Sequence, residues 1–277
     1  MRAIDEQTVL ITGATDGLGR ALATELAGSG ASVLVHARDQ ARGAEALAAM
    51  RAATGNDRLR LVTGDLASLE QVRSLAEQLG ELERLDALVN NAGIGTTLPG
   101  GGRRMESEDG YELRFAVNYL AGYMLTRLLL PLLERSAPAR IVNVSSAGQA
   151  PIDFDDVMLE RRYSGVQAYC QSKLAQIMFT FDLAEELRDR GVTATSLHPA
   201  TYMPTKMVTD AGVDPISSLE EGMRATLALV ADPELEGVTG RYFNGLREAT
   251  PHPQATDMQA RRRLRELSDR LCGFPSA

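Results

Sequence analysis

The sequence predicts an α/β fold in which a parallel sheet is doubly wound, with helices on both faces. Three observations carry that expectation. Short Val/Ile/Leu-rich runs alternate with amphipathic stretches along most of the chain. The runs are continuously apolar instead of alternating, as in strands covered on both faces. Several end at Gly, Asn or Ser just ahead of a helical pattern, the layout of an open α/β sheet.

The first run, residues 8–13 (TVLITG), stops at glycine, and an amphipathic helical stretch follows over 18–27. Residues 31–37 (ASVLVHA) read as the next strand and 41–53 as an alanine-rich helix. A third strand, 59–66 (LRLVTGDL), leads to a helix over 69–79, and a fourth covers 85–93 (LDALVNNAG). A long helix spans 111–133, with Pro131 near its end. Residues 140–146 (RIVNVSS) make the fifth strand, 166–190 a helix and 192–199 (VTATSLHP) the sixth strand.

Two segments break this rhythm: 94–110, which is glycine-rich and expected to be mobile, and 199–218. Both leave carboxyl ends of strands, where open α/β sheets bind ligands, so they are read as rims of a substrate pocket. No composition shift divides the chain, which is read as a single domain over 1–277. Residues 260–271 (ARRRLRELSDRL) are basic. Leu264, Leu267 and Leu271 nevertheless form an apolar stripe there, with Glu266 and Asp269 among the arginines, which favours a packed helix over a nucleic-acid patch.

A net charge of −8 argues against nucleic acid or an anionic membrane as the main partner. Cys170 and Cys272 lie far apart with no CxxC, so neither a disulfide framework nor a metal site is expected. The N-terminus is polar, so no signal peptide is expected, and no apolar run reaches the roughly 18 residues of a membrane span. A cytoplasmic protein fits these features.

Five constellations carry chemistry. The first is TGATDGLG, where Gly13, Gly17 and Gly19 lie between a strand and a helix. Glycine lets the backbone approach a pyrophosphate, and the helix N-terminus offers free N–H groups, though a plain βα turn has the same composition. The second is Arg38, at the end of the second strand, where a guanidinium suits the 2′-phosphate of NADP and a carboxylate would suit NAD. Asp39 is the rival, but a helix N-cap is a simpler role for it. The third is Asp65, placed either to accept from adenine N6 or to cap the next helix. The fourth is NNAG, Asn90 to Gly93, where small residues would admit a cofactor, as they would an ordinary turn.

The fifth joins Ser145 and Ser146 to Tyr169 and Lys173. Positions i and i+4 share one helix face. An ammonium there would lower the tyrosine pKa toward neutrality, and a phenol so tuned exchanges protons with a carbonyl oxygen, held by a serine hydroxyl. Tyr163 has Gln167 at the same spacing and lacks the partner. Lysine is otherwise rare: Lys206 is the other one in the chain.

Together these residues resemble the short-chain dehydrogenase/reductase family, from about residue 8 to 244, with Asn118 as a further match. The resemblance implies a Rossmann-like fold with Tyr169 as catalytic acid/base and Lys173 as its tuning partner and ribose ligand. It makes Ser146, chosen over Ser145, the residue that positions the substrate, and gives Asn118 a water in a proton relay. The cofactor would run along Gly13, Asp16, Gly17, Leu18, Gly19, Arg38, Asp65, Leu66, Asn91, Ala92, Gly93, Tyr169, Lys173, Pro199 and Thr205. The longer stretch from Ser146 to Tyr169 is similar to the retinol-dehydrogenase-like branch, which favours NADP(H). Family members often pair through the helices over 111–133 and 166–190, which implies a homo-oligomer.

Met158, Leu159, Tyr202, Met203, Met207 and Val208 lie on candidate pocket segments and suggest a lipophilic ketone, aldehyde or alcohol. His198 is read as structural. Ala200 stands where the family usually has glycine, so the loop after Pro199 is expected to run differently. The opposing reading is a nucleotide-binding regulatory or scaffold protein without turnover, and the complete Ser146/Tyr169/Lys173 set argues for the enzyme. An epimerase or dehydratase of the same superfamily would usually show TGxxGxxG, which is absent.

Overall fold

A computed structural model describes residues 2–97 and 103–275. Its sheet contains β1 (Thr8–Ile11), β2 (Ser32–Ala37), β3 (Leu59–Thr63), β4 (Ala87–Asn90), β5 (Ala139–Val144), β6 (Val192–His198), β7 (Arg241–Asn244) and β8 (Arg247–Glu248). The order is β3-β2-β1-β4-β5-β6-β7-β8, parallel except for β8, which runs antiparallel to β7. The chain direction of the winding reverses between β1 and β4, so the strand ends there form the crevice of a doubly wound sheet.

The continuous apolar runs serve both faces. Along β1, Leu10 enters one core while Val9 and Ile11 enter the other, and β2 repeats this with Leu34 against Val33 and Val35. One core is closed by α3 (Leu69–Glu77), α4 (Ala121–Arg135) and α5 (Gly165–Glu186), the other by α1 (Gly17–Gly28), α2 (Gln40–Thr54) and α7 (Leu219–Ala231).

Six strands were expected where the sheet has more. β7 and β8 are short, and half of β7 is exposed, so neither yields a continuous apolar run. The helix α7 also went unread, although Ser218 and Glu221 form a capping box at its start, a signal present in the sequence. The helix expected over 111–133 begins later. Glu112 Oε2 accepts the Phe115 N–H, and a π-helical turn, Phe115–Leu120, precedes α4. Pro131 lies within α4, four residues before its end at Arg135. The combined run Phe115–Arg135 is long and apolar enough to cross a membrane by length and composition, but 72% of its apolar window is buried inside the fold.

The basic stretch is α8 (Met258–Cys272), and it packs as a helix. It lies over α4 and α5, the surface expected to pair two subunits. Tyr119 Oη and Ser268 Oγ are 2.7 Å apart, and Tyr123 O–H donates to Asp269 Oδ1 at 2.6 Å. Residues 171–180 of α5 are buried around the whole helix circumference. Much of the apolar surface of α4 and α5 is thus packed within the chain itself.

Tyr123→Phe is expected to lower the unfolding free energy by about 1–3 kcal/mol, because buried Asp269 loses a donor. Equilibrium urea unfolding checks this, and an unchanged midpoint would mean that α8 docks through its leucines alone.

Candidate active site

The glycine-rich turn after β1 is built around the Thr12 hydroxyl. It accepts the N–H groups of Asn91 at 2.9 Å and Ala92 at 3.0 Å, binding this turn to the segment after β4. Gly13 is left-handed, with φ 64°, and a Cβ there would sit 3.0 Å from Ala92 Cα. At Gly19 a Cβ would fall 2.3 Å from the Gly13 carbonyl oxygen and 2.5 Å from Asn91 Nδ2. Gly17, with φ 52°, faces Thr205, whose Cγ2 would be 3.2 Å from an added Cβ. Asp16 is the N-cap of α1 and accepts the Gly17 N–H at 2.7 Å. Leu18 and Leu66 are buried core residues, so any part they take in a site is through their backbone.

Beyond the switch point, Arg38 is exposed at the end of β2. Asp39 caps α2, accepting the Arg42 N–H at 2.9 Å. Asp65 does not cap α3. Its Oδ1 accepts the Ala67 N–H, Ser68 holds the cap position, and Asp109 Oδ2 accepts the Leu69 N–H. The alternative of a helix cap for Asp65 is thereby corrected.

His36, which the sequence reading passed over, joins these two regions. Its Nδ1 accepts the Gly13 N–H at 3.0 Å, and its Nε2 lies 2.9 Å from the Gly64 carbonyl oxygen. Burial lowers its pKa below the ordinary histidine value, outweighing the opposing pull of the Gly64 bond and Asp65. The contact joins residues far apart in the chain, so no local pattern signals it.

On the other side of β1, the strand ends of β5 and β6 meet α5. Ser145 Oγ donates to the Lys173 carbonyl at 2.7 Å and is committed to holding α5. Ser146 Oγ accepts the Gly148 N–H at 3.0 Å and stands beside Tyr169, whose pKa it pulls down. Packing thus separates the two serines: Ser145 is engaged by α5, and Ser146 faces Tyr169. Gly148 borders both side chains: a Cβ there would lie in ordinary contact, 3.5 Å from Ser146 Oγ and 3.9 Å from Tyr169 Cε1.

Lys173 shares a helix face with Tyr169, its Nζ 5.7 Å from the ring centroid. The expected effect on the phenol is corrected, however. Burial raises the Tyr169 pKa, opposed mainly by the Ser146 hydrogen bond. Lys173 itself is pushed down to about 7 by burial, and its Nζ donates to Val144 O at 2.9 Å and Gln176 Oε1 at 3.0 Å. Gly93 faces this ammonium, since a Cβ there would come 3.5 Å from Nζ.

Asn118 lies in the π-helical turn, a distortion frequent at functional sites. Its Oδ1 accepts the Ile94 N–H, and its Nδ2 donates to Ile94 O and Ser172 Oγ. The side chain is therefore a clamp on the segment after β4.

After β6, Pro199 is buried and His198 Nε2 lies 2.9 Å from Thr201 Oγ1, as a structural histidine would. Ala200 avoids positive φ, and Tyr202 takes the left-handed position instead, with φ 48°. Thr205 stands at the N-terminal end of the short helix α6 (Lys206–Thr209), against Gly17. Of the expected pocket residues, Leu159 is buried, and Met158 packs on the core, accepting the Glu112 N–H at its Sδ. Tyr202 and Met207 are exposed. Part of the first rim segment, residues 98–102, lies outside the described residues. The part after it is pinned, with Arg104 Nε donating to Met158 O.

Gly13, Gly17 and Gly19, where a Cβ would strike neighbouring protein atoms, hold the turn tight at the N-terminus of α1, whose free N–H groups suit the phosphates of a dinucleotide. The family model for short chain dehydrogenases matches residues 7–215. The chain belongs to the short-chain dehydrogenase family. It is 39% identical over 292 aligned residues to mouse retinol dehydrogenase 13, covering 99% of this chain and 86% of that one, which places it with the retinol-dehydrogenase-like branch. Among solved structures, an uncharacterized protein from Mycobacterium paratuberculosis matches with a TM-score of 0.80 and 30% identity, over 98% of this chain and 95% of that one. The Pseudomonas aeruginosa RhlG/NADP active-site complex matches with a TM-score of 0.69 and 28% identity, over 88% and 97%. This short-chain dehydrogenase is an alcohol/carbonyl oxidoreductase, of a family that binds NAD(P)(H).

Proposed function

We propose that this dehydrogenase interconverts a lipophilic ketone or aldehyde and its alcohol with NADP(H), using Tyr169 as acid/base. The observation that carries the reading is the convergence of Ser146, Tyr169 and Lys173 at the end of β5: Ser146 Oγ and the Tyr169 ring both border Gly148, and Lys173 Nζ lies 5.7 Å from that ring's centroid. When bound, the nicotinamide dinucleotide supplies or accepts the hydride. Gly13, Gly17 and Gly19 would hold its pyrophosphate, and Gly93 would leave room beside Lys173.

In reduction, Tyr169 gives its phenolic proton to the carbonyl oxygen while the Ser146 hydroxyl donates to the same atom. The raised pKa of Tyr169 keeps that proton in place at neutral pH. With two N–H groups engaged by Val144 and Gln176, the protonated form of Lys173 retains a third for a ribose hydroxyl. Asn118 holds the Ile94 backbone, which keeps the NNAG segment in position. The lipophilic substrate reading is supported by Tyr202 and Met207, whose apolar surface stays exposed at the rim, with Met207 against Gly95.

NADP preference is supported by exposed Arg38, by the engagement of Asp39 as a helix cap, and by the RhlG/NADP complex among the structural relatives. Arg38→Glu is expected to move the NADPH-to-NADH ratio of kcat/KM toward NADH by about 10- to 100-fold, the worth of one charge-assisted phosphate contact. Steady-state kinetics with both cofactors checks this, and an unchanged ratio removes Arg38 from the 2′-phosphate. The wider reading is tested with a panel of lipophilic ketones and aldehydes: NADPH bound without turnover on any of them would favour the non-catalytic scaffold.

A further inference from the structure

We propose that His36 is a positioning residue for the dinucleotide loop: its neutral ring fixes the spacing between Gly13 and Gly64, and cofactor affinity falls when the ring takes a proton. The inference rests on the dinucleotide reading of the glycine-rich turn.

The ring is buried, only 2% exposed, and both nitrogens are used. Nδ1 faces the Gly13 N–H at 3.0 Å, and Nε2 faces the Gly64 carbonyl at 2.9 Å. An amide N–H only donates and a carbonyl only accepts, so one tautomer fits, with the proton on Nε2 and a lone pair on Nδ1. The backbone doubles the link. Ala14 N–H donates to His36 O at 3.0 Å, and Gly64 N–H donates to Ala37 O at 3.1 Å. His36 is therefore a strut between the turn after β1 and the turn after β3, the two segments on either side of Arg38.

Neither end of the strut can drift freely. Gly13 is left-handed with Ala92 packed against it, and a Cβ on Gly64 would lie 3.1 Å from the Gln71 carbonyl oxygen. The Gly13 N–H is held in one direction by the Nδ1 lone pair. A second proton converts Nδ1 into a donor, and two donors then face each other in a buried place. The turn that would cradle the pyrophosphate must move, or the Gly13 N–H is left unpaired.

The charged group acting on the ring is Asp65, beside Gly64, and it favours the proton, whereas burial disfavours it more strongly. The adjacent strand β1 has no titratable side chain, and Arg60 on β3 donates to the Gln78 carbonyl. Asp16 on the glycine-rich turn accepts from Gly17, and Asp39 accepts from Arg42. Arg38, two positions along from the ring, is exposed. The neutral form therefore prevails at neutral pH and yields below the ordinary histidine range.

The test uses the full chain and the fluorescence of NADPH, repeated with NADH, to measure dissociation constants from about pH 5 to 8. His36→Asn places its Oδ1 where Nδ1 stood, so it keeps accepting from Gly13 and cannot titrate. His36→Gln extends its amide to the place of Nε2, so it keeps the Gly64 bond and abandons Gly13. At pH 8 the Asn variant, which loses only the Gly64 bond, is expected to bind somewhat more weakly than the wild type, and the Gln variant, which frees the Gly13 N–H, about tenfold more weakly than the Asn variant. As pH falls, the wild type weakens relative to His36→Asn, a ratio that cancels titration of the cofactor's own phosphate. NMR of the His36 ring, one of only three histidines, should show its titration moving to lower pH when NADPH is bound, as linkage requires.

Equal binding by the Asn and Gln variants overturns the proposal, as does a flat wild-type ratio across the pH range in which NMR shows the ring charging. Failure of the wild type to bind either dinucleotide at any pH is a different result: it removes the dinucleotide reading, and the role of His36 with it.

Discussion

Tyr169→Phe is expected to lower kcat for carbonyl reduction by about 10²- to 10⁴-fold while leaving NADPH affinity unchanged, the range that general acid–base catalysis contributes. The substitution removes one oxygen and keeps the ring that packs between Ser146 and Lys173. Ser146 can still donate to a carbonyl oxygen, but no group at hydrogen-bond distance from it then carries a proton of suitable acidity. The pH dependence gives an independent readout. Burial holds the phenol above its ordinary value, so it is protonated throughout the neutral range. The phenol itself then adds no titration to reduction across neutral pH, and a fall in rate above about pH 7 would report loss of the Lys173 ammonium. Alcohol oxidation needs the phenolate and should accelerate as pH rises toward about 10. Initial rates in both directions decide the matter. Turnover retained in Tyr169→Phe, or alcohol oxidation insensitive to alkaline pH, would sink the assignment.

The parts of the fold visible in the chain are those whose pattern is local. β1, β2 and β5 are each apolar along nearly their full length because helices cover both faces, and no helical period imitates that. β7 is too short for such a run, and the π-helical turn before α4 has the same apolar composition as the helix it joins, so neither is separable by pattern. The same division holds in the site. Tyr169 and Lys173 are legible because helical spacing puts them together whatever the rest of the fold does. The direction of the Lys173 ammonium is not, since it is set by the Val144 carbonyl on a strand 29 residues away in the chain. Ser145 and Ser146 are neighbours whose roles separate only when α5 docks on β5 and takes the first hydroxyl. His36 reads as an ordinary strand residue until two glycine turns close around its ring.

Lys173 shows that the site and the stability of the fold pull in opposite directions. A lysine that is 3% exposed and pushed down to about 7 destabilises the protein at neutral pH, because folding must either bury a charge or release a proton. In the unfolded chain the same group titrates near 10.4. Between pH 7 and about 10 the unfolded state therefore binds a proton that the folded state does not, and wild-type stability gains with rising pH relative to a variant without this group. Below pH 7 both states carry the proton, and the penalty is present in full. Lys173→Met is thus expected to change the slope: compared with the variant, the wild type should gain up to roughly 4 kcal/mol in unfolding free energy from pH 7 to 10. Urea unfolding of both proteins without cofactor, at several pH values, measures it. A constant difference between the two would mean that Lys173 keeps an ordinary pKa in the folded chain, and its ammonium would then be available to Tyr169 across the whole neutral range. Turnover by Lys173→Met should be lost as well, since methionine cannot donate to a ribose hydroxyl and offers no positive charge against the developing phenolate. A buried, costly charge at a site is the pattern expected of a group retained for chemistry.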